Sequence, residues 1–82
     1  MFSYISFYNN TSYPYISLYE DSEILVEELL NNEKTKFYIE DAGSVSVIVA
    51  DNKNIPFLNL YIALLPNTFY TLEITDTSAN FM

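Results

Sequence analysis

The chain has no cysteine, histidine, arginine or tryptophan, and only one glycine among its 82 residues. Each absence excludes chemistry. Without cysteine there is no disulfide framework, thiol nucleophile or thiolate metal site. Without histidine there is no Ser-His-Asp triad and no imidazole ligand. Ser44 and Ser46 therefore have no imidazole to activate them. One glycine cannot build a loop that cradles phosphate. Positive charge is also scarce: three lysines stand against eleven Asp and Glu, a net charge of −8. That argues against binding a phosphate backbone, and a basic groove for single strands is missing. No nucleic-acid partner is expected. No apolar run approaches the ~20 residues of a membrane-spanning helix, so no membrane insertion is expected. Residues 1–10 have neither a basic region nor a long apolar region, so no signal peptide is expected. Lack of cysteine suits any bacterial compartment, and the compartment stays open. No cofactor is implied.

What is present is a strand composition. Half the residues are hydrophobic, and eight Tyr and six Phe stand among them. Ile, Val and Thr add β-branched weight. Apolar alternation with period two recurs along the chain. Ile5 and Phe7 share one face of a first segment, and Ile16 and Leu18 one face of a second. Glu20-Asp21-Ser22 reads as a turn. Residues 23–30 fit either a short helix or an acidic strand, with length and neighbours favouring the strand. Phe37 and Ile39 are expected inward, against Lys36, Tyr38 and Glu40. Asp41-Ala42-Gly43 is a clear turn. Val45, Val47 and Val49 follow, then Leu58, Leu60 and Ile62, then Tyr70, Leu72 and Ile74. The expected fold is all-β, an immunoglobulin-like sandwich of about seven mainly antiparallel strands. Residues 1–75 form its single domain, and residues 76–82 read as a C-terminal tail.

The order of these segments resembles a bacterial domain family of unknown function labelled DUF4397. Ser3-Tyr4-Ile5-Ser6-Phe7 is similar to its opening S-Y-V-R-F strand, and Asn9-Asn10-Thr11 stands where the family has H-A-S-P. Tyr15-Ile16-Ser17-Leu18-Tyr19 stands where it has A-V-D-V-Y. Asp41-Ala42-Gly43-Ser44-Val45-Ser46-Val47 is similar to its P-G-x-Y-x-I-x-V segment. Leu65-Pro66-Asn67-Thr68-Phe69-Tyr70-Thr71-Leu72-Glu73-Ile74 is similar to its late turn and Y-T-L strand. The polar family positions are Ser6, Asn9 and Ser17 here, in place of Arg, His and Asp. The resemblance implies an immunoglobulin-like sandwich and a bacterial origin. It brings no established activity.

Three sets of residues are candidates for function. Five tyrosines, Tyr4, Tyr15, Tyr19, Tyr38 and Tyr61, fall on the outward side of the alternation. Tyrosine supplies a large rigid area with a polar tip, so they could form an interaction surface; the competing role is cross-strand stabilisation. The acids form close groups: Glu20, Asp21 and Glu23; Glu27 with Glu28; Glu40 with Asp41. Paired acids could hydrolyse glycosides at the right separation, though neighbours on a strand point to opposite faces. Asp51-Asn52-Lys53-Asn54 and Glu20-Asp21-Ser22-Glu23 are oxygen-rich enough for calcium but lack the D-x-[DN]-x-[DN]-G pattern. The reading is a non-catalytic structural or protein-interaction module, acting with another protein or as a homodimer. The alternative is a carbohydrate- or calcium-binding module at a bacterial surface. Asn9-Asn10-Thr11-Ser12 holds two overlapping glycosylation sequons, relevant only in a eukaryotic secretory setting.

Overall fold

A computed structural model describes all 82 residues and contains no helix. Eight strands follow in order: β1 (Phe2–Asn9), β2 (Tyr15–Glu20), β3 (Glu23–Leu30), β4 (Tyr38–Asp41), β5 (Gly43–Ala50), β6 (Pro56–Leu64), β7 (Phe69–Ile74) and β8 (Ala79–Phe81). They form two four-stranded sheets, ordered β4-β1-β7-β8 and β3-β2-β5-β6. The molecule is a β-sandwich, and every strand pair is antiparallel except β1 with β7.

The period-two pattern sets the core. Ile5 and Phe7 from β1 meet Ile16 and Leu18 from β2, the three valines of β5, Ile62 and Leu64 from β6, and Leu72 and Ile74 from β7. All are buried. Leu58, Leu60 and Tyr70 pack against them from partly buried positions. Leu29 also belongs to this core. The pairing of β2 with β3 shifts register twice between Ile16 and Tyr19, so β3 keeps no steady alternation that would mark Leu29 in advance.

Two expectations are corrected. On β4 the faces are reversed. Tyr38 lies opposite Ile5 and Ile39 opposite Tyr4. Directly opposed residues share a face, so Tyr38 follows Ile5 inward and Ile39 points out, 66% exposed. Phe37 is also exposed. The second correction concerns residues 76–82. Ala79–Phe81 form β8, pairing antiparallel with the free side of β7. Thr75 N donates to Ser78 O over 2.8 Å and closes the turn between them.

The turns explain themselves. Asp21 (φ 49°) and Ser22 (φ 70°) both take positive φ between β2 and β3, the requirement of a two-residue type I′ hairpin. Asn32, Asn54 and Asn67 hold the left-handed positions in other loops, where asparagine is well tolerated. Between β4 and β5 the chain passes from one sheet to the other with only Ala42 intervening. Gly43 makes that corner at φ 127°, a value side-chain-bearing residues rarely adopt.

Candidate functional site

The five candidate tyrosines do not converge. Tyr38 is inward, its ring 6.4 Å from that of Phe7, and burial raises its hydroxyl pKa. Tyr4 stays on the outer face of its sheet. Its ring stacks on Phe69 at 4.5 Å and 13°, and Phe37 meets Phe69 edge-on at 5.2 Å. Ile39, Tyr4 and Phe69 are in register across β4, β1 and β7, forming an exposed apolar row. Two residues further along both strands Ser6 Oγ and Thr71 Oγ1 share a hydrogen bond of 2.9 Å. Alternation placed Tyr4 in this row; Phe69 and Ile39 join it through pairings between distant strands.

Tyr15 and Tyr19 stand on the outer face of the other sheet and bind its neighbouring loop. Tyr15 Oη donates to Asn52 O over 3.1 Å, and Tyr19 Oη donates to Asn54 Oδ1 over 2.6 Å. Their flank is a shallow groove of about 410 Å³ lined also by Ser17, Ile24, Glu27, Glu28 and Asn54. The same loop uses the Asp51 carboxylate to hold its own backbone. Asp51 Oδ1 accepts the N–H groups of Lys53 and Ile55 at 2.9 and 3.0 Å, which is ordinary turn chemistry.

Tyr61 is 79% exposed on β6, and β6 is an edge strand. The sandwich has four edges, and their chemistry differs. β3 carries Glu23, Glu27 and Glu28; β4 carries Glu40 and Asp41; β8 has three residues. β6 has nine residues and no charge. Pro56 and the register shift at its start blunt the first part of that edge. Leu58 to Leu64 is left without such protection. Beside it, Leu60, Ile62, Leu72, Ala79 and Phe81 line an apolar crevice of about 300 Å³ between β6 and β8. No local pattern marked this site, because which strands become edges is decided by sheet order.

The acids behave differently from one another. Glu40 and Asp41 fall on opposite faces, as adjacent strand residues must. Glu40, opposite Ser3, and Glu20 of the other sheet, opposite Val47, both face the space between the sheets. Desolvation first, then the Glu20 hydrogen bond and the charges of Glu20, Asp21 and Asp41, push the Glu40 carboxyl up to about 8. No three acids are grouped in a geometry that could hold a metal ion.

No protein-family model matches the chain, and no curated protein matches it.

Proposed function

We propose that the chain is a non-catalytic protein-interaction module that associates through the free edge of β6, with a second copy of itself as partner. The observation that carries this reading is the nine-residue strand without charge at the sheet edge. An exposed, uncharged edge offers a row of backbone donors and acceptors to another strand. The net charge of −8 selects the place of contact. Two copies repel wherever acids face each other, and β6 is the long edge where they do not. Antiparallel pairing of β6 with β6 is isologous. It would join the two β3-β2-β5-β6 sheets into one and bring apolar surface against the crevice beside β8.

Sedimentation equilibrium over a wide concentration range tests it. A monomer–dimer equilibrium is expected, and Tyr61→Glu with Ala63→Glu should leave a monomer with the native circular dichroism. Both side chains are exposed, so the substitutions act on association and not on the core. A wild-type chain that stays monomeric throughout would overturn the reading.

A second reading is favoured by the groove at Tyr15 and Tyr19. Tyrosine rings beside Glu27, Glu28 and Asn54 offer apolar faces for a sugar ring and acceptors for its hydroxyls. On this reading the chain is a carbohydrate-binding module. Saturable quenching of tyrosine fluorescence by an oligosaccharide, lost in Tyr19→Ala, would support it.

A further inference from the structure

The core of the sandwich is closed on one flank and open on the other. On the flank of β3 and β4, Leu29 is 2% exposed and Tyr38 packs against the core. On the flank of β6 and β8 the inward side chains are left uncovered. Phe81 is directly opposite Leu72, and Ala79 opposite Ile74. Opposed residues share a face, and Leu72 and Ile74 are buried, so Phe81 is directed into the sandwich. It is nevertheless 51% exposed. Leu58 and Leu60, opposite the buried Val49 and Val47, also face inward and are only partly buried.

The cause is a mismatch of length. β8 has three residues and β6 has nine, so the sheet that ends in β8 stops short of covering β6. The crevice of about 300 Å³ is the gap that results. Phe81 is part of its wall, with its ring 5.0 Å from that of Tyr70. Neither β6 nor β8 carries a charged side chain, so no charge on these strands has to be desolvated when the flank is covered.

The pairing of β6 with β6 decides what covers it. In an antiparallel pair opposed side chains share a face, so the inward faces of both copies lie on the same side of the joined sheet. Both β8 strands are then on that side, and the two crevices open toward each other. The β6 residues that line the crevice, Leu60 to Ala63, occupy the middle of the free segment Leu58 to Leu64. With the two-fold axis at Tyr61, the centre of that segment, Leu60 of each copy is set against Ile62 of the other. Size gives a second argument. A stable interface covers ~800 Å² on each partner. A strand edge offers mainly backbone groups, so the apolar part of that area has to come from the crevice and Phe81.

We infer that a second copy completes the core: the Phe81 rings of the two chains meet across the two-fold axis and close both crevices into one shared interior. This rests on the β6 pairing and adds to it the source of specificity. Backbone pairing accepts many strands. A crevice walled and capped by Phe81 accepts a copy of the same chain. Phe81 is the central aromatic anchor of the interface, and β8, short and at a sheet edge, is enclosed when the dimer forms.

The test uses wild-type protein, half of it isotope-labelled, at a concentration where it is dimeric. Nuclear Overhauser contacts between the two chains are expected from the Phe81 ring to Phe81 and Leu60. Amide exchange of Asn80 and Phe81 should slow as rising concentration carries monomer into dimer. Phe81→Ser should weaken dimerisation about thirtyfold or more. Its circular dichroism should stay native, because the ring is half-exposed in the single chain; were the variant to unfold, the contacts in the wild-type dimer decide. A wild-type chain that stays monomeric removes the β6 pairing and this inference together. A dimer that Tyr61→Glu with Ala63→Glu abolishes, but that is as tight in Phe81→Ser as in wild type, overturns the shared core alone and leaves the edge pairing standing. So does a wild-type dimer with no contact between the Phe81 rings.

Discussion

Asn9 Nδ2, at the end of β1, donates to Leu29 O of β3 over 2.9 Å and so ties one sheet to the other. Its Oδ1 accepts both Thr11 N–H and Thr11 Oγ1–H, at 3.0 and 2.7 Å. Asn9 is completely buried. Asn9→Ala leaves buried polar groups on Leu29 and Thr11 without partners, and should cost about 2–3 kcal/mol. Urea unfolding measures it. Because the Asn9 amide is committed inside the fold, the first of the two sequons is closed to modification of the native protein.

The hairpin between β2 and β3 asks two residues with side chains to hold positive φ. Asparagine followed by glycine meets that requirement with least strain. Asp21→Asn with Ser22→Gly should stabilise the protein by about 1 kcal/mol, seen as a higher denaturant midpoint at constant slope. Gly43→Ala should act in the opposite sense. A Cβ there meets no neighbour within 4 Å, so the loss comes from the backbone at φ 127° alone.

Tyr19→Phe removes the hydroxyl that donates to Asn54 while keeping the ring. The expected loss is small, about 1 kcal/mol. The clearer effect is on dynamics: amides of residues 51–55 should exchange faster, with those of β5 unchanged.

The acid side of the stability curve has its own source. Asp76 accepts Ser12 N–H and Ser12 Oγ–H, each at 2.7 Å. These bonds favour the charged form and lower its pKa. Its contribution is therefore present above the ordinary aspartate range and is lost as pH falls through the lowered value. Glu40 has the reverse sign. Its native carboxyl, raised to about 8 from 4.5, keeps a proton the unfolded chain gives up, so that stability declines as pH rises between those values. Asp76→Asn should flatten the acid limb of a melting-temperature profile and leave the alkaline limb alone.

How far the sequence could be read depended on whether neighbours along the chain or across the sheets decided each position. Val45, Val47 and Val49 were legible because an inward apolar side chain alternates there with Ser44, Ser46 and Ile48. Phe37 to Glu40 was not. Both faces of that segment carry apolar residues, and the pairing of Tyr38 with Ile5 chooses between them. β8 was hidden for a related reason. Ser78-Ala79-Asn80 has no strand pattern of its own; the open side of β7 makes it a strand. The tyrosines divide similarly. Tyr4 and Tyr61 point outward as alternation requires, whereas Tyr15 and Tyr19 show by their loop bonds that an outward tyrosine can be largely structural.

The one parallel pairing has a consequence for the order of folding. β1 lies between β4 and β7, and its Ser6 is bonded to a threonine 65 residues further along. Two hairpins, β2 with β3 and β5 with β6, can form from sequence neighbours as the chain leaves the ribosome. The sheet containing β1 cannot close its centre until β7 has also emerged. β1 must wait, apolar and half-paired, for β7. A pause in synthesis before Phe69 would prolong that interval, and chaperone binding to arrested chains should be strongest just before this point and fall once β7 is clear.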